Sequence, residues 1–167
     1  MGISTVVLED WEGEATVDDF SFSGETEYSS TQFVMGNTYW DKSGSYREER
    51  SEFRIAKASF LDLDAVEFIG GGKFFLGKGD TEFAPYYSFY IQDLFLDNDL
   101  GVSLSLLPGL GLEYALSDRL YLDLGLSYSI PLLPATDTVF GVMDTEFSGL
   151  TLMFGIVFET GRPTPLR

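Results

Sequence analysis

Glu113 and Asp123 are the side chains whose placement in this sequence could do chemistry. If Ser117-Asp118-Arg119 is a turn, Leu116 comes opposite Leu120, Tyr114 opposite Leu122 and Glu113 opposite Asp123 on one face. Two carboxylates facing each other must share a proton or recruit a cation. In an open cleft such a pair could cleave a glycosidic bond; in a filled interior it becomes a structural plug, neutralised here by Arg50, Arg54 or Lys73. The segment YREERSEFR supplies further charges, and Glu48, Arg50, Glu52 and Arg54 alternate in sign on every second position. Buried charges persist only when paired, so that series suits a salt-bridged interior. Arg50, Glu52, Arg54, Lys73, Glu113 and Asp123 are the expected interior network.

What is missing narrows the chemistry further. The chain has no histidine and no cysteine, which removes the Ser-His-Asp and Cys-His constellations, the commonest metal ligand and any disulfide framework. No catalytic residue stands out, and no enzymatic activity is expected. DNDLG (97–101) opens like a calcium loop but lacks the remaining ligand spacing and the closing Glu. Gly70-Gly71-Gly72-Lys73 is followed by Phe74, without the Ser/Thr and helix that a phosphate loop requires. Neither a metal nor a cofactor is expected. A net charge of −17 argues against nucleic acid, whose phosphates need a clustered basic surface. That acidic surplus reads as solvated loops and a polar terminus; its alternative is a carboxylate surface gathering divalent cations at an anionic lipid face.

The elements that must position these residues read as long strands. From Val102, alternate residues are apolar (Leu104, Leu106, Pro108, Leu110, Leu112, Tyr114, Leu116); after the turn the series resumes with Leu120, Leu122, Leu124, Leu126, Tyr128 and Ile130. GLTLMFGIVFE repeats it with Leu150, Leu152, Phe154, Ile156 and Phe158. A period of two means strand. Soluble strands run about five or six residues, whereas a tilted strand crossing a bilayer needs roughly nine to eleven. The opposite faces carry Gly109, Gly111, Gly125, Gly149 and Gly155 among serines and charges, which suits a crowded interior better than a face in water. The expected fold is therefore all-β: a closed antiparallel up-and-down transmembrane barrel of about eight strands with a side-chain-filled interior. Leu104, Leu106, Leu110, Leu112, Leu120, Leu122, Leu124, Leu126, Leu150, Leu152, Phe154, Ile156 and Phe158 would face lipid.

In chain order, residues 1–24 form an acidic segment with one alternating patch, a possible first strand about Gly13 to Ser23 or an ordered arm. Residues 25–160 hold the barrel and 161–167 a disordered tail. MGISTVVLEDWEGE lacks the basic and apolar regions of an export signal, so Met1 is expected to stand where a signal was removed. Strands about Glu27 to Trp40 and Tyr46 to Phe60 flank the Asp41–Ser45 turn, with Tyr39 and Trp40 at the level of a membrane interface. Leu61 to Val66 reads as a connection, Gly70–Gly72 as a bend or bulge, Glu82 to Phe95 as a strand, and 131–148 as the longest loop. No run approaches the roughly eighteen apolar residues of a membrane helix.

GLGLEYALSDRLYLDLGLSYSI with the final GLTLMFGIVFE resembles the last three strands of small outer-membrane barrels of the OmpA/OmpX-like kind, and GGGKFFLGKGDTEFAPYYSFYI resembles their fourth and fifth. The resemblance covers about Val66 to Glu159 and implies a bacterial outer-membrane location, lipid as the surrounding partner, and a protein partner reached through loops or an oligomer. Such barrels commonly end on an aromatic read by the insertion machinery, a place Phe158 would fill. Acyl-transferring and deacylating barrels of this size rely on a histidine base, absent here. The expected role is structural, envelope-anchoring or surface-interacting, and not that of a large pore. The alternative is a soluble lipocalin-like barrel with its bulky face turned inward on an apolar ligand.

Overall fold

The computed structural model describes residues 2–17, 20–26, 28–41, 46–60, 63–77, 82–96, 102–133, 135–137 and 143–159. Its strands are β1 (Gly2–Val17), β2 (Phe20–Thr26), β3 (Tyr28–Trp40), β4 (Arg47–Phe60), β5 (Leu63–Phe75), β6 (Phe83–Leu96), β7 (Val102–Ser117), β8 (Leu120–Leu133), β9 (Ala135–Asp137) and β10 (Met143–Phe158). β3 to β8 and β10 are seven antiparallel up-and-down strands forming a half-barrel. β1 pairs along β10 from Gly2↔Val157 to Val17↔Met143, and over Gly2 to Val7 it also pairs with β3.

Several boundaries differ from the sequence reading. The strand expected at Gly13 to Ser23 is two strands, β1 and β2, running antiparallel from Trp11↔Thr26 to Val17↔Phe20. β5 begins at Leu63, inside the expected connection, because Leu63 and Asp64 pair with Phe60 and Ser59 of β4. The expected loop 131–148 is entered from both sides, by β8 to Leu133 and by β10 from Met143. The tail 161–167 lies outside the described residues.

Gly70 to Gly72 make no bulge. Their pairings with β4 and β6 continue without a slip. Gly71 answers to close packing instead: a Cβ there would collide first with the Phe89 carbonyl oxygen and then lie 2.7 Å from both Cα and the ring of Tyr90, while one on Gly70 would meet nothing within 4 Å. Gly77, with φ of 136°, takes the left-handed backbone that starts the tight connection to β6. Pro108 leaves a mark as well. β7 pairs with β6 at Phe89↔Pro108, but its ladder to β8 skips from Leu106↔Ile130 to Gly109↔Ser127, as a residue without an N–H requires.

The two sides of the sheet are the reverse of a soluble protein's. Phe53, Ile55, Phe89, Ile91, Leu110, Leu124, Leu126, Leu150, Leu152, Phe154, Ile156 and Phe158 are exposed, Leu110 to 65%. Leu104, Leu106, Leu112, Leu120 and Leu122 share their parity and are partly exposed. The buried side carries Ser30, Gln32, Arg50, Glu67, Lys73, Gln92, Glu113 and Ser129. Near the tight turns, aromatic rings gather: Phe74 stacks on Tyr87 at 5.0 Å and Phe83 meets Tyr114 at 4.8 Å between centroids.

Gly71→Ala, which forces a methyl against Tyr90, is expected to cost about 1–3 kcal/mol. Gly70→Ala should stay within about 0.5 kcal/mol of the parent. Urea unfolding of the two variants in detergent micelles checks the contrast.

Candidate functional site

A single linked set of charges fills the buried side. β4 contributes Arg47, Arg50, Glu52 and Arg54, and β5 contributes Lys73. Glu113 comes from β7, Asp123 from β8, and Glu159 follows the end of β10. Glu113 and Asp123 are cross-strand partners, as expected, but the expected pairing of Leu116 with Leu120 is corrected: Ser117 pairs with Leu120 across Asp118-Arg119, and a register shift between Ala115 and Ser117 brings Glu113 level with Asp123. Lys73 Nζ lies between them, bonded to Asp123 Oδ2 and 3.2 Å from Glu113 Oε1. Arg47 and Arg50 take the two oxygens of Glu113, Arg50 Nη1 at 2.5 Å. Arg50 Nη2 reaches Glu159 at 2.8 Å, and its Nε donates to Thr38 Oγ1, which in turn donates to Glu159 at 2.9 Å.

Arg54 serves a different acid. Its Nε and Nη2 hold Glu52 Oε2 at 3.1 and 2.6 Å, while Nη1 donates to Gln32 Oε1 and approaches Met153 Sδ at 2.7 Å. Of the three cations named for Glu113 and Asp123, Arg50 and Lys73 reach them, while Arg54 pairs with Glu52, two residues away on the same strand face. Arg47, Arg50, Arg54 and Lys73 stand against Glu52, Glu113, Asp123 and Glu159, so the formal charges of the set cancel.

The alternating series is corrected at its first member. Glu48 is exposed and Arg47 is buried in its place. The β3–β4 ladder slips between Tyr39↔Glu49 and Trp40↔Arg47, a bulge that inserts one residue and turns the strand over. Arg47 then lies over the rings of Phe75 at 4.5 Å and Tyr121 at 4.3 Å.

Two tyrosines that charge spacing alone does not pick out complete the set. Tyr86 donates to Asp123 Oδ1 at 2.7 Å and Tyr90 to Glu52 Oε2 at 2.8 Å, both from β6. Lys73 sits 4.4 Å from the Tyr86 ring and Arg54 4.2 Å from that of Tyr90. Their signal was parity: in EFAPYYSFYIQ they alternate with the bulky outward residues. Space for them comes from inward glycines, since a Cβ on Gly125 would lie 2.8 Å from the Tyr86 hydroxyl. Among the described residues, no group of three or more Asp, Glu, His or Cys is arranged to hold a metal. The arrangement can lock strands to one another across the buried face.

No family model matches the chain, and no curated protein matches it closely. Among solved structures it is similar to Neisserial surface protein A, NspA, at 13% identity over 94% of this chain and 96% of that one, with a TM-score of 0.51. It is similar also to the outer membrane enzyme PagL, at 10% identity over 93% of this chain and 98% of that one, TM-score 0.54. At these identities the likeness is one of fold: that of small outer-membrane β-barrel proteins. The expectation of no enzymatic activity is overturned as a deduction from the fold, because PagL is an enzyme built on it.

Lys73→Met removes the cation between Glu113 and Asp123 and should destabilise by about 3–5 kcal/mol, the range for stranding a buried charge. Lys73→Met with Asp123→Asn should recover part of that loss, as coupled partners do. Urea titration of the single and double variants, followed by tryptophan fluorescence, measures the coupling.

Proposed function

We propose that this chain is an integral β-barrel of a bacterial outer membrane, with an envelope-anchoring or surface-interaction role carried by the segments at its long-connection end. In this reading β1 closes the sheet, its ladders to β10 and β3 joining the two edges so that β1, β3, β4, β5, β6, β7, β8 and β10 make the wall. The acidic segment 1–24 thus lends its first strand to the barrel of 25–160, and the ionic set fills the lumen instead of leaving a large pore.

The observation that carries the proposal is the reversed sidedness. Water gives no reason to present Phe154, Ile156, Leu124, Leu126, Phe89 and Ile91 as one continuous exposed surface, and hydrocarbon does. A strand of 14 residues such as β8, rising about 3.3 Å per residue and tilted about 40°, spans roughly 35 Å, enough for an apolar band of about 25 Å and its interfaces. The paired rings near the tight turns sit where an interfacial aromatic girdle belongs. The soluble lipocalin-like alternative needs the bulky face inside, and the leucines are outside.

Lipid is then the partner of the outer face. Any protein partner, or a second copy, is expected to bind at the end where β2 and β9 extend the sheet past β3 and β8, and the surface location named for NspA agrees with that assignment.

Leu124→Arg places a charge at an exposed position between Leu112 and Phe154. In lipid vesicles it should cost about 2–4 kcal/mol; on a surface meeting water the change would be within about 0.5 kcal/mol. Refolding from urea into vesicles, read by heat-modifiable gel mobility, gives the answer, and a wild-type chain that is monomeric in buffer without detergent would defeat the proposal.

A further inference from the structure

Glu67 lies on β5 opposite Ala56 of β4 and Leu94 of β6, away from the ionic set. Its side chain is completely buried. Gln92 Nε2 donates to Oε1 at 3.2 Å, and Oε2 has no hydrogen-bond partner. Glu52, Glu113, Asp123 and Glu159 each have an Arg or Lys within ion-pair distance; among the described residues Glu67 has none. Within the ionic set no cation is left over, since its four basic residues are matched by its four acids.

Neutral oxygens stand on the same face, on Gln92 of β6 beside Glu67 and on two serines one strand further, on β7. Gln92 on β6 is opposite Ser105 on β7, Leu94 is opposite Ser103, and both serines are buried. Ala56 and Ala58 on the other side bring no charge. A carboxylate removed from water with one amide contact is an expensive arrangement, and among the described residues no cation stands within ion-pair distance to relieve it.

We infer that Glu67 and Gln92 form a site for one monovalent metal cation of the sodium class, with the Ser103 and Ser105 hydroxyls completing the shell. An all-oxygen donor set suits a hard cation. The charge selects its valence: one positive charge neutralises a lone carboxylate, whereas a divalent ion would leave a net charge buried beside a neutral set. Gln92 would present its amide oxygen, which its side chain can do by turning over, because the two ends of the amide are the same size. The site needs only the enclosed lumen of the barrel reading, and gel mobility of the folded form reports on that lumen separately.

The experiment uses the full chain refolded in zwitterionic detergent, with sodium chloride exchanged for N-methylglucamine chloride at constant ionic strength. The unfolding midpoint should rise by roughly 3–5 °C for each tenfold increase in sodium above its dissociation constant. Glu67→Gln should abolish that slope and match or exceed the wild-type midpoint in N-methylglucamine. Gln92→Glu, which doubles the charge, should transfer the response from sodium to calcium. A wild-type midpoint indifferent to sodium, an unchanged slope in Glu67→Gln, or a Gln92→Glu chain still responding to sodium alone would each overturn the inference while leaving the heat-modifiable barrel intact.

Discussion

A charge buried on the inner side of a curved sheet has little to solvate it except other charges. Moving a carboxylate or guanidinium out of water costs several kcal/mol even after the protein relaxes, and mutual attraction offsets this only with close geometry and spare protons occupied. The buried face of this protein is organised around that condition. Lys73 serves Asp123 and Glu113, Arg50 serves Glu113 and Glu159, and Arg54 serves Glu52. Tyrosine hydroxyls and a threonine take remaining oxygens. Because partners come from β4, β5, β7, β8 and the end of β10, satisfying the charges also fixes how the strands stand across from one another.

The outer face follows the opposite rule. With the polar groups paired inside, the strands turn Leu, Ile and Phe outward over lengths of 13 to 16 residues, the sidedness from which the membrane proposal is drawn. Glycines mediate between the two faces. Gly111 and Gly125 are next to the Tyr86 side chain and Gly71 to that of Tyr90, so the inward tyrosines occupy volume that any larger residue at those positions would claim. The same scaffold shape occurs in NspA and in the enzyme PagL. Fold and chemistry are separable: a wall of strands sets which side meets lipid, and activity depends on what the rim and connections add.

Much of this was legible in the residues. A period of two over the late strands determined their type, and the content of the two faces determined their sidedness. The pairing of Glu113 with Asp123 followed from one short turn, since register in a hairpin is set by its loop. Arg50, Glu52, Arg54 and Lys73 were identifiable as inward because they alternate with bulky apolar residues, beside which an unpaired charge is costly. Harder were the places where pattern is mixed. β1, interrupted by Glu and Asp, gains its strand character from two neighbours, β10 and β3, and 131–148 carries prolines and no clean alternation.

By itself, the sequence determined that this is an all-β chain of long two-faced strands, greasy on one face and small, polar or charged on the other, because side-chain direction alternates along any extended backbone. Only the tertiary structure decided which partners the charges take. A one-residue bulge between β3 and β4 exchanged Glu48 for Arg47, distance along β4 gave Arg54 to Glu52, and the reach of Tyr86 and Tyr90 over the buried face brought in donors that no charge spacing announces. Those choices depend on where separate strands meet in space, and periodicity within one strand carries no record of it.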